Sequence, residues 1–159
     1  MIHIQPSATA DTRTCDYANV SKETLLQSSK QHIQDVRQAL IFFEEQLRLA
    51  EQTHDTDKIT DIDSFHADFV TGFKEHGWWD RHKRLNRHHL TDPDGVREDV
   101  NLIDVLDFIC DCVCAGMGRS GSVYPLHLPP ELLERASQNT VELLKREVVV
   151  DPLTGQQPA

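Results

Sequence analysis

The chain has 159 residues, and 16 Lys plus Arg against 26 Asp plus Glu give a formal net charge of −10. This length fits one domain with a real core, and so acidic a surface gains nothing from a phosphate polymer by bulk attraction, which argues against broad nucleic-acid coating. No run nears the ~20 apolar residues of a membrane span, no charged-then-apolar leader is read, and Cys110, Cys112 and Cys114 lie too close together to staple distant segments, so a reduced, cytoplasmic protein is expected.

Residues 1–20 carry no period and are read as a flexible arm. Ser21 suits an N-cap, and a long helix is predicted from there to about Ala50. Along it Leu26, Ile33, Leu40 and Leu47 recur every seven residues, with Val36, Phe43 and Ala50 as a companion stripe. That is a core-facing pattern, and over a single helix it need not mean a coiled coil. His32 borders the stripe. The chain breaks in EQTHDTDKITDIDSF, and a second helix is predicted from Asp63 or Ser64, with Phe65, Phe69 and Phe73 at i, i+4 and i+8 and Gly77 as its stop. In WWDRHKRLNRHHL, Trp78, His82, Leu85 and His89 keep helical spacing until TDPDG turns the chain.

NLIDVLDFICDCVCAG then reads as a deeply buried helix, apolar on almost every side except for three aspartates. GMGRSGSVYPLHLPP is a loop, and Pro130 suits the first turn of a last helix with Leu133, Ala136, Thr140 and Leu144 inward. VVVDPLTGQQPA reads as a short extended piece followed by a tail. No alternating strand pattern of any length is found. The expected architecture is all-α, a single domain of about five helices over residues 21–150, with a tail at 151–159.

Two features point to chemistry. Asp104, Asp107 and Asp111 fall within an arc of about 60° on their helix, given ~100° per residue. Carboxylates set among so many apolar neighbours need cations, hydrogen-bond donors or a metal. The bland alternative is a helix with one wet edge. Histidine tilts the balance: there are 9, and six lie between His54 and His89. His54-Asp55 is an adjacent imidazole–carboxylate pair, and His82, His88 and His89 follow. Imidazole suits Zn, Fe, Mn, Co and Ni, while carboxylates admit harder ions such as Mg.

Taken in order, His32, His54-Asp55 with Lys58 three residues on, His82, His88-His89 and a later helical Asp resemble the HD-domain superfamily of metal-dependent phosphohydrolases. The likeness is most marked at HDTDK and HHLTDPDG and runs from His32 to Asp111; the Gly-Tyr-Pro element of the larger phosphodiesterase branch is replaced by Val96, Arg97 and Glu98. WWDRHKRLNRHHL followed by LIDVLDFICD is also similar to a group of small uncharacterised proteins common in bacteriophages. The resemblance implies an all-helical fold holding one or two divalent ions (Mn, Fe, Co, Zn or Mg). His32, His54, Asp55 and Asp111 would hold the first ion, with Asp107 as second choice for the last ligand and Asp104 behind it. His82, His88 and His89 would complete a second site. Lys58, Arg84 or Arg87 would neutralise charge on a phosphate, with Asp55 and Lys58 the residues closest to the chemistry.

The activity so implied is hydrolysis of a nucleotide or another small phosphate ester or diester. The alternative is a catalytically silent HD-like protein that binds a ligand or host protein. The partner expected is a small phosphorylated substrate, with no membrane and no bulk nucleic acid, and with room for a homo-oligomer. Other patterns carry less. Asp55, Asp57, Asp61 and Asp63 mimic a calcium loop, but Thr60 and His66 stand where its glycine and glutamate belong. Gly116, Gly118 and Gly121 spell GxGxxG without a preceding strand. Trp78 and Trp79 are read as packing between helices.

Overall fold

Ser21 begins the first helix as its side chain suggests: its Oγ accepts a hydrogen bond from the Thr24 amide at 3.0 Å. The computed structural model describes residues 1–5, 17–75, 77–92 and 95–152. Its elements in chain order are β1 (Ile2–Ile4), α1 (Lys22–Thr53), α2 (Asp57–Thr60), α3 (Ile62–Phe69), α4 (Trp78–Leu85), β2 (Thr91–Asp92), β3 (Gly95–Val96), α5 (Leu102–Ser120), α6 (Pro130–Glu147) and β4 (Val148–Val150). The fold is all-α as expected, with one helix, α2, of a single turn. No helix among the described residues is long and apolar enough to cross a membrane.

Two compact units divide the chain, Met1–Glu44 with Glu142–Ala159, and Glu45–Val141. In the first, β1 pairs in parallel with β4, Ile2 opposite Val148 and Ile4 opposite Val150. Ile2 is buried, His3 Nδ1 lies 2.9 Å from Asp151 Oδ1, and the Asp151 amide donates to the Ile4 carbonyl. Three residues of the expected arm are therefore a strand. Three β-branched valines at the chain's other end supply its partner, a pairing too short to show as alternation. The rest of that arm, residues 6–16, and most of the expected tail lie outside the described residues.

In the second unit the core is built from Leu90, Val100, Val105, Leu132 and Ala136, with Phe108, Ile109 and Leu128 packed against it. α5 starts on a reciprocal cap: Asn101 Oδ1 accepts from the Ile103 and Asp104 amides, and Asp104 Oδ2 accepts from the Asn101 amide. Its first turn buries Ile103, Asp104 and Val105, but Leu106, Val113 and Met117 are exposed, so α5 is not the deeply buried helix its composition suggests. On α6, Ala136 is buried as expected; Leu133 faces out and Leu132 takes its place. The segment expected to be one helix to His89 ends at Leu85, because Asn86 turns extended (ψ 113°). Gly77, at φ 67°, begins α4 and does not stop its predecessor, which ends at Phe69.

Candidate metal centre

Asp55 follows directly on the end of α1 with φ at 55°, a left-handed backbone that Asp tolerates better than most residues. The Asn86 side-chain carbonyl holds it there by accepting from the Asp55 amide at 3.0 Å. This bend aims the two carboxylate oxygens apart. Oδ1 is buried without a hydrogen-bond partner and lies 3.3 Å from His82 Nε2 and 3.5 Å from His88 Nε2. Oδ2 accepts from Lys58 Nζ at 2.5 Å.

Four side chains, Asp55, His82, His88 and His89, bring one ligand atom each within 4.8 Å of one another and could hold a metal ion. Donors about 2.1 Å from a shared ion at tetrahedral angles stand about 3.4 Å apart, close to the 3.3 and 3.5 Å that separate Asp55 Oδ1 from His82 Nε2 and His88 Nε2. His82 Nε2 and His89 Nε2 are, like Asp55 Oδ1, buried without a partner. Each such orphan costs about 1–3 kcal/mol unless something satisfies it. Two of them, Asp55 Oδ1 and His82 Nε2, lie 3.3 Å apart within the four-residue group, which fits a cation. An imidazole must also be unprotonated there to offer a lone pair. Burial, followed by the neighbouring His88 and His82, pushes His89 down to about 4, and burial with His54 lowers His88 below its ordinary value. Burial is the largest influence on Asp55 and opposes its charge, yet the hydrogen bond and charge of Lys58 together with His54 and His88 outweigh it and hold that carboxyl below its usual value.

Carboxylates hold the backs of two rings, His82 of this group and its neighbour His54. His82 Nδ1 lies 2.9 Å from Asp57 Oδ2. An ionised carboxylate only accepts, so His82 Nδ1 carries the proton and donates it to Asp57, while Asn86 Nδ2, 3.0 Å from that nitrogen, donates to Asp57 Oδ1 and to the His82 carbonyl. Nε2 is thereby the free nitrogen. His54 Nδ1 donates likewise to Asp107 Oδ1 at 2.8 Å, and the other oxygen of Asp107 lies 3.6 Å from His88 Nδ1. Trp78 stacks on His82 with ring centroids 4.7 Å apart, and Phe65 stacks on Trp78.

Two further groups share these residues, His54 with His88 and Asp107, and His54 with Asp55 and Asp111. In the first, Asp107 is already spent on His54 Nδ1. In the second, His54 Nε2 lies 3.6 Å from Asp55 Oδ2 and 4.0 Å from Asp111 Oδ1, and Lys58 sits on the same Asp55 oxygen. An ion at that position competes with the lysine ammonium. The strongest cradle is therefore the one around Asp55 Oδ1.

The remaining predicted residues fall elsewhere. His32 is exposed on α1, which runs unbroken to Thr53, and is in none of the three groups. Arg87 donates through Nε and Nη2 to both oxygens of Asp104 at 2.8 Å and through Nη1 to Asp99, so both Arg87 and Asp104 serve the fold. Arg84 is exposed on α4. His76, one of the six clustered histidines, lies outside the described residues. Asp57 and Asn86 were missed. Asp57 sits two residues from the His-Asp pair and was weighed as part of a calcium loop alone, whereas nothing in the sequence marks Asn86.

A cleft of about 420 Å³ opens beside His54, Asp107 and Asp111, with Leu47, Leu106 and Cys110 on its apolar walls. No family model, curated protein or solved structure matches the chain.

Proposed function

We propose that the chain is a metal-dependent phosphohydrolase of HD-domain type, acting on a nucleotide or another small phosphate ester or diester. The observation that carries the reading is the cluster of Asp55, His82, His88 and His89, in which Asp55 Oδ1 is buried, unpartnered and 3.3 and 3.5 Å from His82 Nε2 and His88 Nε2. Three imidazoles and one carboxylate suit a divalent transition ion. Such an ion, when bound, polarises a phosphoryl oxygen and brings a water's pKa toward neutrality.

This chain's own residues supply the rest. Asp57 and Asp107 fix the rings of His82 and His54. Asp55 Oδ2 holds the Lys58 ammonium at the open side of the centre, where it neutralises charge gathering on phosphate oxygens. Asp111 and His54 reach the same point from the cleft, and they can take a proton from water or hand one to a leaving alcohol. The apolar walls of the cleft suit the organic part of a small ester, and a chain of net charge −10 suits a small substrate better than a long polymer.

The test is phosphate or nucleoside release from a nucleotide and diester panel, using protein loaded in turn with Mn, Co, Zn or Mg. Turnover that disappears in Asp55→Asn supports the reading. Metal-loaded protein that binds a panel member and leaves it unchanged replaces it with a silent binding protein.

A further inference from the structure

The heptad stripe of α1 is largely uncovered: Leu26, Ile33, Val36, Leu40 and Leu47 are 41–61 % exposed. α1 is a continuous helix of 32 residues, about 48 Å long. A stripe so apolar and so long calls for cover along its length. In heptad terms Leu26, Ile33, Leu40 and Leu47 are the first core positions, and Ser29, Val36, Phe43 and Ala50 the second.

The pattern fits itself when reversed. In two copies of α1 laid antiparallel, Leu40 meets the partner's Val36 and Ile33 meets the partner's Phe43. Farther out, Ser29 meets the partner's Leu47 and Leu26 meets the partner's Ala50. At the ends a large side chain thus faces a small one, which lets the layers interdigitate. Charge follows the same two-fold. The flanking positions after each second core residue are Lys30, Arg37, Glu44 and Glu51, basic in the first half and acidic in the second. Antiparallel pairing sets Arg37 beside the partner's Glu44 and Lys30 beside the partner's Glu51, each twice. Parallel pairing sets Leu25 beside the partner's Lys30, His32 beside Arg37, Ala39 beside Glu44 and Gln46 beside Glu51, with no opposite charges matched.

We infer that α1 pairs with α1 of a second copy as an antiparallel two-helix coiled coil, making the protein a homodimer. Leu47 and Ala50 also line the cleft beside His54, so the partner's Leu26 and Ser29 border that cleft.

The test is sedimentation of the full chain with circular dichroism as the check on folding. The expected mass is twice the 18.1 kDa of one chain, and Leu40→Glu should give a monomer of unchanged helix content. Arg37→Glu and Glu44→Arg should each weaken the dimer about tenfold, because each replaces two attractions by two repulsions, and the double variant should regain the original affinity. A monomer at about 100 μM, where even a micromolar dimer is nearly complete, overturns the inference. So does a double variant no tighter than the single ones, which would assign the stripe to a different partner or a parallel pair.

Discussion

Asp57 accepts the Nδ1 proton of His82 at 2.9 Å, and in doing so it decides which nitrogen of a fully buried imidazole faces the candidate metal centre. A carboxylate behind a ligand ring fixes its tautomer and rotation and raises its basicity. Asp57→Asn keeps the volume and weakens that control. It should lower affinity for zinc or manganese by about 10–100-fold, measured by competition with a chromophoric chelator, without changing the number of ions bound at saturation.

Asp55→Asn separates the backbone role of this residue from its charge. Asn tolerates a positive φ about as well as Asp, so the bend after α1 should persist and the circular dichroism spectrum should be unchanged. Metal should be lost, and chelators should no longer shift the melting temperature of the variant as they do for the original chain. A variant that still binds one ion per chain would remove Asp55 from the centre.

The aspartate stripe of α5 divides by function. Asp104 is 4 % exposed and holds Arg87 as well as the start of its own helix, so Asp104→Asn should cost about 2 kcal/mol in urea unfolding while leaving metal content intact. Asp111 lies at the cleft beside His54, so Asp111→Asn should do the reverse. Equal loss of metal in both variants would show that the stripe acts as one unit.

Protonation gives a further check. His89 is pushed from an ordinary 6.5 to about 4 in the folded chain, and His88 is also lowered. Between those two values the unfolded chain binds more protons than the folded one, so stability rises with pH across that window. The metal-free protein should be fully stable above pH 6.5 and should lose stability progressively toward pH 4. Measured by urea titration, a flat profile over this range would contradict the burial of these rings.

The all-helical class was legible because period and caps are local: Ser21, the Asn101 start of α5 and Pro130 act on residues next to them. So was a cluster of residues that could hold a metal ion, since His54-Asp55, His82 and His88-His89 stand out by type. What failed was long-range. Sequence alone could not show that Asn86 reaches back to the amide of Asp55, or that Arg87 turns to Asp104, because both depend on how the chain bends after Leu85. A heptad stripe tells that a helix must be covered and not by what; here Ile33 and Leu40 face outward. His32 has the right type and the right place in the order, yet it is exposed on α1 and belongs to none of the three ligand groups.

The pairing of β1 with β4 has a consequence during synthesis. Ile2 leaves the ribosome long before its partner Val148, with most of the helices encoded between them. β1 must therefore wait, unpaired and with an apolar side chain to bury, until the intervening helices have been translated. A nascent chain held back before Val148 has no partner for β1, and that strand should be open to proteolysis until the valines of β4 emerge.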